Sequence, residues 1–140
     1  MEKVQQRGPN DCARASVASI LERDYEDVPD FAAEAGELGQ WWGWRINEWL
    51  RAEGYPFRFE VWNCMTDITP LHPGWWLGDT IAKGRDCNHL IVCRDAEIVW
   101  DPSLRVGEAD YDALPFQFLG IGYFFVQEPA ALKAIKAAAQ

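Results

Sequence analysis

The segment from Gln6 to Leu21 constrains the fold of this chain more than any other. Gly8-Pro9-Asn10-Asp11 cannot continue a helix or a strand. The small and apolar residues that follow it are closely spaced: Ala13, Ala15, Val17, Ala18, Ile20 and Leu21. This run predicts a buried helix, with Asn10 or Asp11 as the side chain that caps its N-terminus. Cys12 therefore falls in the first helical turn.

A cysteine at this position lies near the positive end of the helix dipole and near backbone N–H groups that lack helical partners. Both features favour the thiolate over the neutral thiol, and the thiolate is the nucleophilic form. The alternative role for Cys12 is that of a small buried residue that packs the helix. A nucleophilic role also needs a base, which the remainder of the chain must supply.

The length of 140 residues fits one domain, residues 1–140, with its own core. A weakly helical tail at residues 130–140 is predicted to fray. The net charge of −9 excludes nucleic acid as a partner and disfavours anionic membranes. Four scattered cysteines, no secretory signal and no apolar run of about 20 residues predict a soluble, cytoplasmic protein. The oligomeric state stays open.

The remaining pattern places helices first and strands later. Asp30 is predicted to cap a short helix that ends at Gly36, and Gly54 to end a longer one. From residue 55 the apolar period changes to that of strands, at 57–62, 75–78, 89–94, 98–101 and 116–126. This order predicts an α+β fold with N-terminal helices packed on a C-terminal antiparallel sheet.

Eight tryptophans raise the question of a binding groove. Trp42 and Trp49 share one helical face with Ile46 and Leu50, which predicts that they pack in the core. Trp41 and Trp44 lie off that face and are predicted to line a groove. Trp75 and Trp76 are also assigned to the groove, with core packing as the alternative.

A base for Cys12 must come from only two histidines, His72 and His89. His89 opens an apolar strand whose predicted hairpin partner ends at Asp101, so the two side chains should meet at one end of the hairpin. Asp101 can then orient the imidazole of His89, which gives a Cys12–His89–Asp101 triad. Taken singly, each of the three residues also has an ordinary role. Cys12 can pack the helix, His89 can be a histidine at a strand end, and Asp101 can be a turn residue before proline.

Three motifs, Gln6-x4-Asp11-Cys12, Asn88-His89-Leu90-Ile91-Val92 and Trp100-Asp101-Pro102, resemble those of the papain-like cysteine peptidases of the bacteriocin-processing (C39-like) group. The resemblance implies a papain-like fold and cleavage of a peptide or protein substrate without a cofactor. It also implies that Gln6 donates to the oxyanion, with Gln5 as an adjacent competitor.

The motif departs from the family after the nucleophile, where Ala13-Arg14 stands in place of the usual Gly. Arg14 is therefore a candidate for binding an acidic substrate group. The chain has neither the ATP-binding loop nor the membrane segments of the family's exporters, so a link to export is not implied.

Two other classes of function compete with a peptidase. Cys64, Cys87, His89 and Cys93 supply zinc-type ligands, although their spacing is not that of a standard zinc finger. The other alternative is a catalytically inactive papain-like domain that binds a partner.

Overall fold

The computed structural model of the protein describes residues 1–55, 59–63, 75–81, 88–95, 97–103 and 120–124. The helices within these residues are α1 (Cys12–Leu21), α2 (Phe31–Glu37) and α3 (Trp42–Ala52), with a 3-10 turn at Tyr25–Asp27. The strands are β1 (Phe59–Asn63), β2 (Trp75–Ile81), β3 (Asn88–Arg94), β4 (Glu97–Trp100) and β5 (Gly120–Phe124). The predicted α+β class is confirmed. The predicted tail helix at 130–140 lies outside the described residues.

The strands form one antiparallel sheet in the order β1-β5-β2-β3-β4. The last strand, β5, lies between β1 and β2, where Gly122 pairs with both Val61 and Leu77. β3 is an inner strand, and its residues from His89 to Cys93 are buried. The β3–β4 hairpin turns at Asp95, close to the predicted position.

Helix α1 packs against β3 and is enclosed by the rest of the domain. Its residues from 15 to 21 are buried, and the Ser16 hydroxyl lies 3.5 Å from the carbonyl oxygen of Leu90 in β3. Alanine and serine allow this close approach because their side chains are short. A helix that is apolar on nearly every side must be covered, so the predicted buried helix is confirmed.

The helix ends follow the predictions with two exceptions. Gly36, predicted to end the short helix, lies within α2, which ends one residue later at Glu37. Asp11 precedes α1 and its backbone carbonyl accepts the Ala15 N–H at 3.1 Å, but its side chain makes no cap hydrogen bond. The predicted side-chain cap of α1 is therefore wrong, because the carboxylate turns back to the preceding loop. Asp30 caps α2 through the Ala33 N–H, and Gly54, at φ 81°, follows the end of α3.

The apolar face of α3 contributes to the core as its spacing predicts. Ile46, Trp49 and Leu50 are buried, and the rings of Trp49 and Phe31 meet edge to face with centroids 5.7 Å apart. Trp42, at the start of this face, is only partly buried. No helix among the described residues is long and apolar enough to cross a membrane.

Candidate active site

The packing of α1 on β3 brings Cys12 to His89. Cys12 is the first residue of α1 and is partly exposed, whereas His89 in β3 keeps only 2% of its surface exposed. Cys12 lies close enough to the His89 ring to raise the pKa of the imidazole. Ser16, one helical turn after Cys12, meets Leu90, the residue after His89, and so supports this juxtaposition.

The carboxylate of Asp101 binds the other side of the imidazole. Asp101 follows β4, and its Oδ1 lies 2.7 Å from Nε2 of His89. The same oxygen accepts the Ser103 N–H at 2.9 Å. Because an ionised carboxylate can only accept, Nε2 carries the proton, and Nδ1 is the ring nitrogen left for the Cys12 sulfur. The predicted meeting of His89 and Asp101 at the hairpin is confirmed.

The surroundings of His89 act on its charge in opposite directions. Burial lowers the pKa, but hydrogen bonds and electrostatic attraction to Asp101 and Cys12 outweigh it and raise the pKa to about 9, above the ordinary value of 6.5. The imidazolium is therefore favoured at neutral pH, between a carboxylate and a sulfur that can carry negative charge.

This raised pKa predicts how the free energy of unfolding depends on pH. The folded protein holds the His89 proton more tightly than the unfolded chain, so the stabilisation is fully present below about pH 6.5 and is lost as pH rises through about 9. The loss amounts to at most about 3 kcal/mol. Urea unfolding of wild type and His89→Gln at pH 6 and pH 9.5 measures it. Equal pH dependence in the two proteins would contradict the shift.

The N-terminal segment is bound along the residues that surround Asp101. The Trp100 indole N–H donates to the carbonyl of Val4 at 2.9 Å, and the Gln6 N–H donates to the carbonyl of Pro102 at 2.8 Å. The exposed Gln5 side chain donates to the carbonyl of Ser103 at 3.0 Å. These contacts attach the residues before α1 to the Asp101 loop.

Of the two glutamines, Gln6 is the one turned into the protein. It is 3% exposed, and its Nε2 donates to the carbonyl of Gly8 at 2.7 Å. Its buried Oε1 has no hydrogen-bond donor among the described residues. Since a carbonyl can only accept, Gly8 fixes which end of the Gln6 amide faces it. One N–H of the amide group remains for another acceptor.

A pocket of about 290 Å³ opens beside Cys12. Its lining is mostly apolar and comes from α1, α2, α3, β3 and the loop before α1: Pro9, Asn10, Cys12, Ala13, Ala32, Trp42 and Leu90. This volume lies at the lower end of small-molecule sites, which suits one large side chain of a longer ligand.

Arg14 does not line this pocket. Its Nε donates to the carbonyl of Tyr25 at 3.0 Å, and its guanidinium lies 3.9 Å from the centroid of the Tyr25 ring. Arg14 thus has a partner within the protein, and its contact with an acidic substrate group stays a prediction. Ala13 stands where the family that the sequence resembles has Gly; it is 4% exposed and lines the pocket wall.

The four tryptophans assigned to a groove divide into two pairs. Trp41 and Trp44 are 47% and 38% exposed, and the ring centroid of Trp41 lies 5.3 Å from that of Trp42 in the pocket wall. Trp75 and Trp76 are buried, at 5% and 1% exposed, so their assignment to the groove is wrong. They belong to β2, an inner strand of the sheet, and pack in the core, which was the alternative.

The described part of the chain does not bring the four candidate zinc ligands together. Cys64 and Cys87 lie outside the described residues, and Cys93 is fully buried. No group of three or more His, Cys, Asp or Glu among the described residues is arranged to hold a metal ion. His89 is engaged with Asp101 and Cys12.

Two contributors to the site, Trp42 and Asp11, were missed. The spacing of Trp42 with Ile46 assigned it to the core, but it lies where the apolar face of α3 runs out beside Cys12. Asp11 was considered only as a helix cap and as a member of the Gln6-x4-Asp11-Cys12 motif. The turn that precedes Asp11 was the signal for its partners, the N–H groups of Arg7 and Gly8, because Asp side chains commonly bind nearby backbone N–H groups.

No protein-family model, curated protein or solved structure matches this chain.

Proposed function

We propose that the protein is a cysteine peptidase that hydrolyses a peptide or isopeptide bond. Cys12 is the nucleophile, His89 the general base and acid, and Asp101 the residue that orients the imidazole. One observation carries the proposal: a buried imidazole is hydrogen-bonded to a carboxylate, and a partly exposed thiol at a helix N-terminus lies close enough to raise the pKa of the same ring. This order of groups meets the requirements of nucleophilic catalysis.

The reaction proceeds through a thioester. The Cys12 thiolate attacks the scissile carbonyl carbon, and the carbonyl electron pair moves to oxygen. The tetrahedral intermediate collapses, the C–N bond breaks, and His89 gives its proton to the leaving amine. Water then adds to the thioester while His89 accepts a proton, and the acid product leaves as the thiolate and imidazolium are restored.

Two N–H groups are candidates for binding the oxyanion of the tetrahedral intermediate. The first hydrogen bond of α1 is donated by the N–H of Ala15 to the carbonyl of Asp11. The N–H of Cys12 comes before it in the chain and is therefore not used within the helix. The second candidate is the remaining N–H of the Gln6 amide. Fixed donors of this kind lower the barrier because they need no reorganisation when charge develops.

The arrangement also supports a papain-like fold and relationship to the bacteriocin-processing peptidases. A central helix begins at the nucleophile, and a neighbouring antiparallel hairpin carries His89 and Asp101. A nucleophilic thiol needs a reducing environment, which suits the cytoplasm.

The pocket beside Cys12 supports a substrate with an apolar side chain close to the scissile bond. Leu90 follows His89 and Ala13 follows Cys12, so the pocket is directly next to the reacting groups. We expect Ala32→Phe, which fills the pocket from α2, to lower kcat/KM for peptides with Leu at this position at least about tenfold. Peptides with Gly there should change much less.

The matched control for this variant is Ala33→Phe, at the next and exposed position of α2, outside this pocket. It should leave the Leu-to-Gly preference unchanged. A preference that both variants alter equally would contradict a role of the pocket in substrate selection.

The proposed function is tested with a library of fluorogenic peptides, using wild type and Cys12→Ala. Wild type is expected to release the fluorophore from a subset of peptides, and mass spectrometry of the acid-quenched reaction should find an acyl group on Cys12. Turnover that survives in Cys12→Ala would contradict the proposal. So would the absence of both turnover and acyl adduct in the wild type.

A further inference from the structure

Asp11 is at the centre of a hydrogen-bonded cluster that the triad does not include. Its Oδ1 accepts the Gly8 N–H at 3.0 Å, and its Oδ2 accepts the Arg7 N–H at 2.9 Å and the Tyr25 hydroxyl. The carboxylate is only 5% exposed. A buried carboxylate needs several donors to offset its desolvation, and these three supply them.

Gly8 connects this cluster to the candidate oxyanion donor. Its N–H binds Asp11, and its carbonyl accepts the Nε2 of Gln6 at 2.7 Å. Asp11 therefore holds the peptide group on the N-terminal side of Gly8, and the peptide group on the C-terminal side of the same residue holds the Gln6 amide. The chain of contacts runs from Tyr25 through Asp11 and Gly8 to Gln6.

Tyr25 is itself held by two arginines. The guanidinium groups of Arg7 and Arg14 lie 4.2 and 3.9 Å from its ring centroid, and Arg14 also binds its carbonyl oxygen. Arg7 is further bound to Glu26 at the next position of the same 3-10 turn. Arg14 stands at a position where the sequence departs from the family that it resembles. Its contacts with Tyr25 give it a function within the cluster.

We infer that Tyr25 and Asp11 are positioning residues that set the Gln6 amide for oxyanion binding. The inference rests on the proposed function, because it concerns the same reaction. It implies that Tyr25 affects only steps in which negative charge develops on a carbonyl oxygen. Alkylation of Cys12 by chloroacetamide has no such step, since the sulfur displaces chloride directly from carbon.

The test compares Tyr25→Phe with Tyr55→Phe. Each loses one phenol hydroxyl, but that of Tyr55 is hydrogen-bonded to Arg23 and not to Asp11. Acylation is followed as release of nitrophenolate from N-acetyl-leucine 4-nitrophenyl ester, with Cys12→Ala as background. In acylation the C–S bond forms, the oxyanion collapses, and nitrophenolate leaves. Alkylation is followed with chloroacetamide by intact mass.

We expect Tyr25→Phe to slow acylation about five- to tenfold, as for loss of one hydrogen bond, with alkylation changed less than about twofold. Tyr55→Phe should change neither rate. If Tyr25→Phe slows both rates equally or neither, the inference is overturned while the proposed function stands. If wild type is not acylated above the Cys12→Ala background, the proposed function itself fails, and the inference fails with it.

Discussion

Replacement of His89 with alanine is expected to slow acylation of Cys12 about a thousandfold. The variant removes the only imidazole that contacts Cys12 in the described part of the chain, and with it the proton donor for the leaving group. The measurement is the single-turnover rate of thioester formation with a peptide ester, corrected for the background of Cys12→Ala.

His72→Ala is the matched control, because His72 is the only other histidine. It is expected to leave the acylation rate within about twofold of wild type. Circular dichroism confirms that each variant is folded before its rate is compared. A large loss with His72→Ala and none with His89→Ala would reverse the assignment of the base.

Replacement of Gln6 with alanine is expected to lower the acylation rate about 100- to 1000-fold, while alkylation by chloroacetamide stays near the wild-type rate. The free energy of unfolding should change little. The variant loses the Gly8 contact, but it also removes a buried Oε1 without a described donor, which costs about 1–3 kcal/mol in the native protein.

The control for this variant is Gln5→Ala. Gln5 is exposed and loses only a hydrogen bond to the Ser103 carbonyl, so acylation should fall less than about threefold. If Gln5→Ala and Gln6→Ala have equal effects, or only Gln5→Ala slows acylation, Gln6 is not the oxyanion donor.

The centre of the site was predictable from the sequence because it depends on local patterns. A turn followed by small apolar residues predicts the start of α1 at Cys12, and a short hairpin predicts that His89 and Asp101 meet. Because many residues separate α1 from the hairpin, their contact was inferred only from the need of Cys12 for a base and from the presence of two histidines. The packing of Ser16 on Leu90 shows how short side chains allow it.

The features that were not predictable depend on contacts between distant residues. Trp75 and Trp76 are buried on β2, an inner strand between β3 and β5, and the position of β5 is set by pairing across the chain. Likewise, Arg14 was a candidate for substrate binding because nothing local indicates that Tyr25 folds back onto it. Spacing indicates which residues share an element, but it does not identify the neighbours of that element.

The most direct test of an activated nucleophile is the rate at which chloroacetamide labels each cysteine at pH 7, read by peptide mapping. We expect Cys12 to react at least about tenfold faster than free cysteine, because His89 lies beside it and can accept its proton. Cys93 should stay unlabelled in the folded protein, since it is fully buried and burial raises the pKa of its thiol. If Cys12 reacts no faster than free cysteine, or equally fast in wild type and His89→Ala, it is not an activated nucleophile.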